Sequence, residues 1–304
     1  MDGLIFYNTV PKKSDPKRWE DGYGQANDNI DYYKVFYDTL TFEQEHNISA
    51  SGGTEKMSFY VSGNFLDQEG KMNWGGDGLK RYNLSGKIDA QLAKWARLGY
   101  NARFARIDYH QPTVMIDDMF FCEIGRQSWP IGPLYDPNGN LYNDHVLRMR
   151  DAGQITQESS DLSQQLYLRL NPFKGWEING EFNYRLQTVF GQEYAYPVHN
   201  LCVDGISKDT EWYRNYTHEN SDKTEYYNVN AYTSYERTFA ESHYMKVMAG
   251  FQMENNNYRY SKLTKYGLVV PGVTSVDSAT GLGMTGETMP SEAYGNYESW
   301  STMG

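Results

Sequence analysis

The sequence predicts an all-β fold: an antiparallel up-and-down transmembrane β-barrel segment, about eight strands of a larger barrel and not closed by itself. Three observations predict it. Apolar and polar residues alternate with period two over stretches of about ten residues, long enough for a tilted strand to cross a hydrocarbon layer. Short and long links between these stretches alternate along the chain. Ionisable residues occupy mid-strand positions on the polar side, where a dry core would impose a large desolvation cost.

Taken in order, residues 42–51 form a short first strand, and Gly52-Gly53 close a tight turn. Met57, Phe59, Val61, Gly63 and Phe65 then alternate with Ser58, Tyr60, Ser62 and Asn64. Over 81–92, Tyr82, Leu84, Gly86, Ile88, Ala90 and Leu92 are the apolar set, and over 96–104 it is Ala96, Leu98, Tyr100, Ala102 and Phe104. The phase slips at Ala105–Arg106, as a bulge or the end of the apolar stretch requires. Residues 162–171 set Leu162, Leu166, Leu168 and Leu170 against Ser163, Gln165 and Arg169. Residues 176–187 set Trp176, Ile178, Gly180, Phe182, Tyr184 and Leu186 against Glu177, Asn179, Glu181, Asn183 and Arg185. Residues 226–237 and 243–254 repeat the pattern.

The links sort by length. Short ones fall at 51–55, 92–95, 171–176 and 239–242, and long ones at 69–79, 108–161, 188–224 and 260–298. In an up-and-down sheet alternate links lie at opposite ends, so one end carries tight turns and the other long loops, as in outer-membrane barrels. Residues 1–40 are an irregular segment leading into the barrel, and 41–304 are the partial barrel. Arg97, Arg103, Arg169, Glu181, Arg185, Lys87 and Asp89 suit a wetted lumen, with lipid against the opposite face. Tyr60, Tyr82, Trp95, Trp176, Tyr226 and Tyr244 suit an interfacial girdle.

Composition agrees and excludes. Only 39% of the 304 residues are hydrophobic, yet there are 27 Tyr, as expected where only alternate residues are apolar. The net charge of -11 is spread along the chain without a basic stripe, which argues against nucleic acid. No apolar run is long enough for a membrane helix, and residues 1–20 lack the layout of a secretory signal. Cys122 and Cys202 lie far apart outside any CxxC frame; a disulfide and two free thiols both remain open.

No GxSxG, HExxH, GxGxxG or P-loop frame is present, so no catalytic, cofactor or metal residue is assigned and the chain reads as a non-enzyme. Gly52-Gly53 is a hairpin turn rather than a phosphate cradle. Asp136–Asn140 and Asn27–Asp31 are turn chemistry rather than calcium loops. His199, Cys202 and His218 fit no metal spacing. The candidate substrate-binding residues are loop aromatics with polar neighbours: Trp129, Tyr135, Tyr142, Trp212, Tyr213 and Tyr216, suited to stacking on sugar rings or gripping peptide backbone.

One stretch carries a resemblance. HNISASGGTEKMSFYVSGNFLDQEG (46–70) resembles the hallmark of SusC/RagA-type TonB-dependent outer-membrane transporters of Bacteroidetes: His46-Asn47, Ser49, Ser51-Gly52-Gly53, then Tyr60 and Ser62, then Asp67-Gln68-Glu69-Gly70. Arg81–Leu84, WPIGPLYDPNGNLY (129–142), HYMKVMAGFQMENN (243–256) and YESWSTMG (297–304) are similar to later family segments, the last to the start of a further strand. The resemblance covers about residues 28–304. It implies a twenty-two-stranded barrel around a plug, of which this chain would be an internal fragment without the signal peptide, accessory domain, TonB box and plug. It implies import of oligosaccharides or peptides across the cell outer membrane, with no covalent chemistry. The implied partners are a SusD-like surface lipoprotein, the TonB-ExbB-ExbD complex acting through the plug, the lipid bilayer, and a glycan or peptide substrate. A passive porin or adhesin-like barrel without energy coupling is the alternative, and a soluble carbohydrate-processing β protein is a third reading.

Overall fold

The computed structural model describes residues 29–303 apart from 39, 117–127, 131, 136–138, 202–206, 210–213, 241 and 284–285. Among the described residues nine strands form one antiparallel sheet: β1 (Glu43–Gly53), β2 (Met57–Glu69), β3 (Gly78–Ala93), β4 (Ala96–Pro112), β5 (Gln154–Leu170), β6 (Trp176–Ala195), β9 (Tyr216–Phe239), β10 (His243–Tyr266) and β11 (Glu292–Met303), each paired with the next. A separate hairpin, β7 (His199–Leu201) and β8 (Ser207–Asp209), sits in the β6–β9 link. The sheet is open, with β1 and β11 at its edges. The eight expected strands are β1–β6, β9 and β10; β11 contains the segment whose family likeness marked a strand start.

Pairing register turns the alternation into surfaces. Phe59, Ile88, Tyr100, Leu166, Phe182, Val229 and Met253 stand in one row across seven strands. Met57, Ala90, Leu98, Leu168, Gly180, Ala231 and Phe251 form the next row toward the short turns. No second sheet or helix layer covers these rows among the described residues. Val61 is 53% and Val247 56% exposed, and Leu84, Leu166 and Phe251 are exposed too. A sheet with exposed aliphatics on one face and charges on the other is arranged for two solvents.

The upper edge of the apolar band is slanted. Its last apolar residues are Phe65, Tyr82, Phe104, Leu162, Leu186, Tyr227 and Met253, one per strand from β2 to β10. Phe65 and Tyr82 lie six positions beyond the Phe59 row, Tyr227 two, and Met253 in the row itself. The short turns descend in the same sense: Met57 lies two positions below that row, Ala96 four, Trp176 six and His243 ten. A slip of six residues over six strand steps, at about 3.3 Å rise and about 4.8 Å spacing, corresponds to a tilt of about 35°. That is the tilt of transmembrane barrels.

Strands continue well past the band. β4 runs to Pro112, β6 to Ala195 and β10 to Tyr266, while β9 begins at Tyr216. The long links are therefore 113–153, 196–215 and 267–291, shorter than the sequence pattern drew them. Beyond the band polar residues occupy both faces, so no apolar alternation marks the strand; backbone pairing continues through it and cross-strand side-chain contacts add to it. The phase slip at Ala105–Arg106 is the end of the apolar stretch. β4 pairs without a register shift through it, and the one shift on β3–β4 lies at Gln91/Ala93.

The polar face is a hydrogen-bonded net. Asn101 donates to Gln165 (2.6 Å), Gln165 to Glu181 (2.6 Å), Asn183 to Glu181 (2.8 Å), and Asn230 to Asn228 (2.7 Å). Arg185 donates to Asp161 (2.9 Å). Near the short turns Tyr167 crosses β4 to donate its hydroxyl to Asp89, which Arg97 also contacts. Gly99, between them in register, permits this: a Cβ there would sit 2.0 Å from the Tyr167 ring. Gly53 has a similar reason, since its Cβ would lie 2.5 Å from the Met57 carbonyl across the β1–β2 turn. Thr54 fastens that turn, its N–H donating to the Met57 carbonyl (2.6 Å) and its Oγ1 accepting from the Met57 N–H (3.2 Å).

A small apolar core sits at the long-loop end. It joins α1 (Tyr32–Phe36), α2 (Asp144–Asp151), Val114, Ala152, Ala195 and Val198. Asn143 caps α2, accepting from the Val146 N–H (3.1 Å), and donates to the Tyr32 hydroxyl (2.9 Å), so one side chain links both helices. Trp74 Nε1 and Asn73 Nδ2 donate to the Val35 carbonyl, closing the C-terminal end of α1.

Gly99→Val is expected to displace the Tyr167 ring and destabilise the sheet by about 1–3 kcal/mol. Gly180→Ala, where an added Cβ meets nothing within 4 Å, should be near neutral. Denaturant unfolding of the two variants in one lipid or detergent system checks this, and equal midpoints would refute it.

Candidate functional site

The chain presents two polar surfaces that a ligand could use: the polar face of the sheet and the loops at its long-loop end. Beyond the apolar band the polar face carries a compact group. Glu193 on β6 stands opposite His218 on β9, with Oε2 3.0 Å from Nε2. Tyr216 donates its hydroxyl to the same carboxylate, and its ring stacks on His218 at 5.8 Å between centroids. Tyr216 also packs against the small core. The group is held from three sides before any ligand arrives, which favours recognition by fixed hydrogen bonds. None of its members is a nucleophile beside a base, and among the described residues no three His, Cys, Asp or Glu side chains gather as a metal site requires.

The six loop aromatics separate. Trp129 and Tyr135 are exposed and lie in the β4–β5 link. Tyr142, in the same link, is buried at 8% exposure with its N–H bonded to the Leu134 carbonyl (2.8 Å), so it packs the loop. Tyr216 is a strand residue in the Glu193–His218 group. Trp212 and Tyr213 lie outside the described residues, as do Cys122, Cys202 and Asp136–Asn138. Sequence reasoning passed over Glu193 and weighed His218 only as a metal ligand, because it placed 188–224 in a loop. Continuing the alternation of β6 from Arg185 by steps of two reaches Glu193, and that was the available signal.

The β4–β5 link is electrostatically tense. Arg148, 3% exposed, pairs with Asp144 one helical turn away on α2. Burial pushes the neighbouring His145 imidazole down to about 4, with the Arg148 charge adding to the effect. Tyr196, beyond β6, donates to the Val270 carbonyl (3.1 Å), and burial raises its phenol.

No family model matches the chain. It is 24% identical over 296 residues to TonB-dependent receptor P39 of Formosa agariphila, covering 86% of this chain and 26% of that receptor. Its fold matches the RagAB peptide importer in the 'open-open' state with a TM-score of 0.67 and 14% identity, over 99% of this chain and 34% of the other. Against the 'closed-closed' state the TM-score is 0.66 over 91% and 30%. The chain thus spans about a quarter of the length of the curated relative and about a third of the solved ones. In sequence the chain is thus similar to a TonB-dependent receptor, and in fold to part of the RagAB peptide importer.

His145 titrates lower folded than unfolded, so the folded state binds fewer protons below the unfolded value of about 6.5. The stability of the α2 region should be intact above that pH, fall as pH drops from 6.5 toward 4, and level off below. Hydrogen exchange of the 144–151 amides across this window measures it. His145→Gln should flatten the profile, and an unchanged profile in that variant would show that another group is responsible.

Proposed function

We propose that this chain forms part of the wall of a SusC/RagA-type, TonB-dependent outer-membrane transporter that imports oligosaccharides or peptides. The supporting observation is the slanted apolar band on a sheet one layer thick, backed by a charged, hydrogen-bonded face. In this reading the apolar rows face lipid, the polar face lines the lumen, the short turns are periplasmic, and the long loops face outward. The lumen net of Asn101, Gln165, Glu181 and Asn183 offers a passing solute both donors and acceptors. Trp129 and Tyr135 are the exposed loop aromatics that would stack on it, beneath a SusD-like surface lipoprotein, with Tyr216 at the strand end and, by sequence, Trp212 and Tyr213 as further candidates. Energy would come from TonB-ExbB-ExbD through the plug of the intact protein. The chain contributes binding and passage and no bond-making step.

In cells, uptake of the ligand should require both this gene and TonB. Uptake that survives loss of TonB would sink the energy-coupled reading.

Two sets of substitutions test the placement. Leu166→Arg, facing lipid, should cost about 2–4 kcal/mol near the bilayer middle and lower the amount of folded protein in the outer membrane. Gln165→Arg, one residue earlier but facing the lumen, should be tolerated. Trp129→Ala and Tyr135→Ala should weaken ligand binding several-fold with the fold intact, whereas Tyr142→Ala should cost about 3 kcal/mol of stability.

A further inference from the structure

A cleft of about 1200 Å³ lies across β4, β5, β6, β9 and β10. Most of its lining belongs to the face that carries the apolar band, on the strands' continuation past it. Arg106 is two positions beyond Phe104 on that face, and His110 six beyond. Asp108, between them, shares a row with Glu158 and Phe190, and His110 shares the next with Thr156, Gln192 and Glu219. The link after β10 folds onto the same side: Gln192 and Thr217 both donate to the Thr274 carbonyl, at 3.1 and 2.6 Å.

We propose that this cleft seats the uncharged sugars of an outer-leaflet glycolipid. The inference rests on the membrane reading above, which makes this face the lipid side. Height selects the ligand. At about 3.3 Å per residue and a tilt of about 35°, the cleft begins about 5 Å beyond the apolar edge on β4 and reaches about 16 Å. A phospholipid headgroup layer is only about 5–7 Å deep. A lipid that fills the cleft must carry a longer polar head.

Chemistry selects sugars over phosphate. Arg106 is already engaged by Asp108 (2.9 Å) and Glu158 (2.7 Å). Asp108, Glu158 and Glu219 outnumber Arg106 and Lys262, so the lining repels an anion. What remains are carboxamides and hydroxyls, which both donate and accept as sugar hydroxyls do. Phe190, 53% exposed, supplies an apolar platform for a ring face. Anchoring in the leaflet holds the sugar close to the cleft and raises its effective concentration.

The test uses the full-length protein in nanodiscs of phosphatidylethanolamine, alone or with one of two additions: a diacylglycerol bearing an uncharged oligosaccharide, or the same diacylglycerol without the sugar. Native mass spectrometry counts retained lipid, and the free oligosaccharide is a fourth arm. The sugar-bearing lipid should be retained at least about 10-fold better than the diacylglycerol alone, a difference of about 1.4 kcal/mol. Phe190→Ala with Gln192→Ala should abolish the difference. Free oligosaccharide should bind weakly. Equal retention of both lipids, or wild-type retention by the double variant, overturns the proposal while leaving the transporter reading standing. Failure of the protein to enter bilayers at all would overturn both.

Discussion

Backbone register is the constraint on which the rest depends. Among the described residues no layer packs on the apolar band, so there the ladder between neighbours carries the structure. A slip of one residue on any strand would move its apolar set to the polar face. On β6 that would exchange Phe182, Tyr184 and Leu186 with Glu181, Asn183 and Arg185. The chain meets this with long uninterrupted ladders, β9 and β10 pairing from Tyr216–Tyr266 to Phe239–His243 without a shift. Side-chain bridges across strands add to it, from Ser62–Ser85 to Asn183–Asn228.

The same register sets the slant of the band and so the tilt of the wall. Turns and apolar edge descend together from β2 to β10, which keeps the strip of grease level while the strands lean. Apart from the Gln91/Ala93 shift on β3–β4, tilt arises from where each strand stops being apolar rather than from local distortion. The aromatic residues at the edge, Phe65, Tyr82, Tyr184 and Tyr227, then sit where an apolar phase gives way to water. Tyr60 and Tyr226 fall on the polar face instead, where Tyr226 donates to Glu254 at 3.0 Å.

Past the band the rules change. Strands there no longer separate oil from water, and their function depends on what the loops build on them. The β4–β5 link folds with α2 onto one face and meets Ala195 and Tyr216. The link after β10 turns the other way, onto the face that carries the apolar band. The two links thus close over opposite faces of one sheet.

The sequence by itself determined the strand count through β10, the two faces, the sorting of links by length and the family likeness. Each rests on local alternation or on a contiguous motif, which a single chain displays directly. It marked β6 only to 187 and β10 only to 254, because past the apolar band polar residues fall on both faces and the apolar period fades. The tertiary structure decided that these strands run on to Ala195 and Tyr266, that Tyr142 is packing while Trp129 is exposed, and that Glu193 meets His218. Those facts depend on which distant segments lie side by side, and residue order encodes that only through the pairing of the folded sheet.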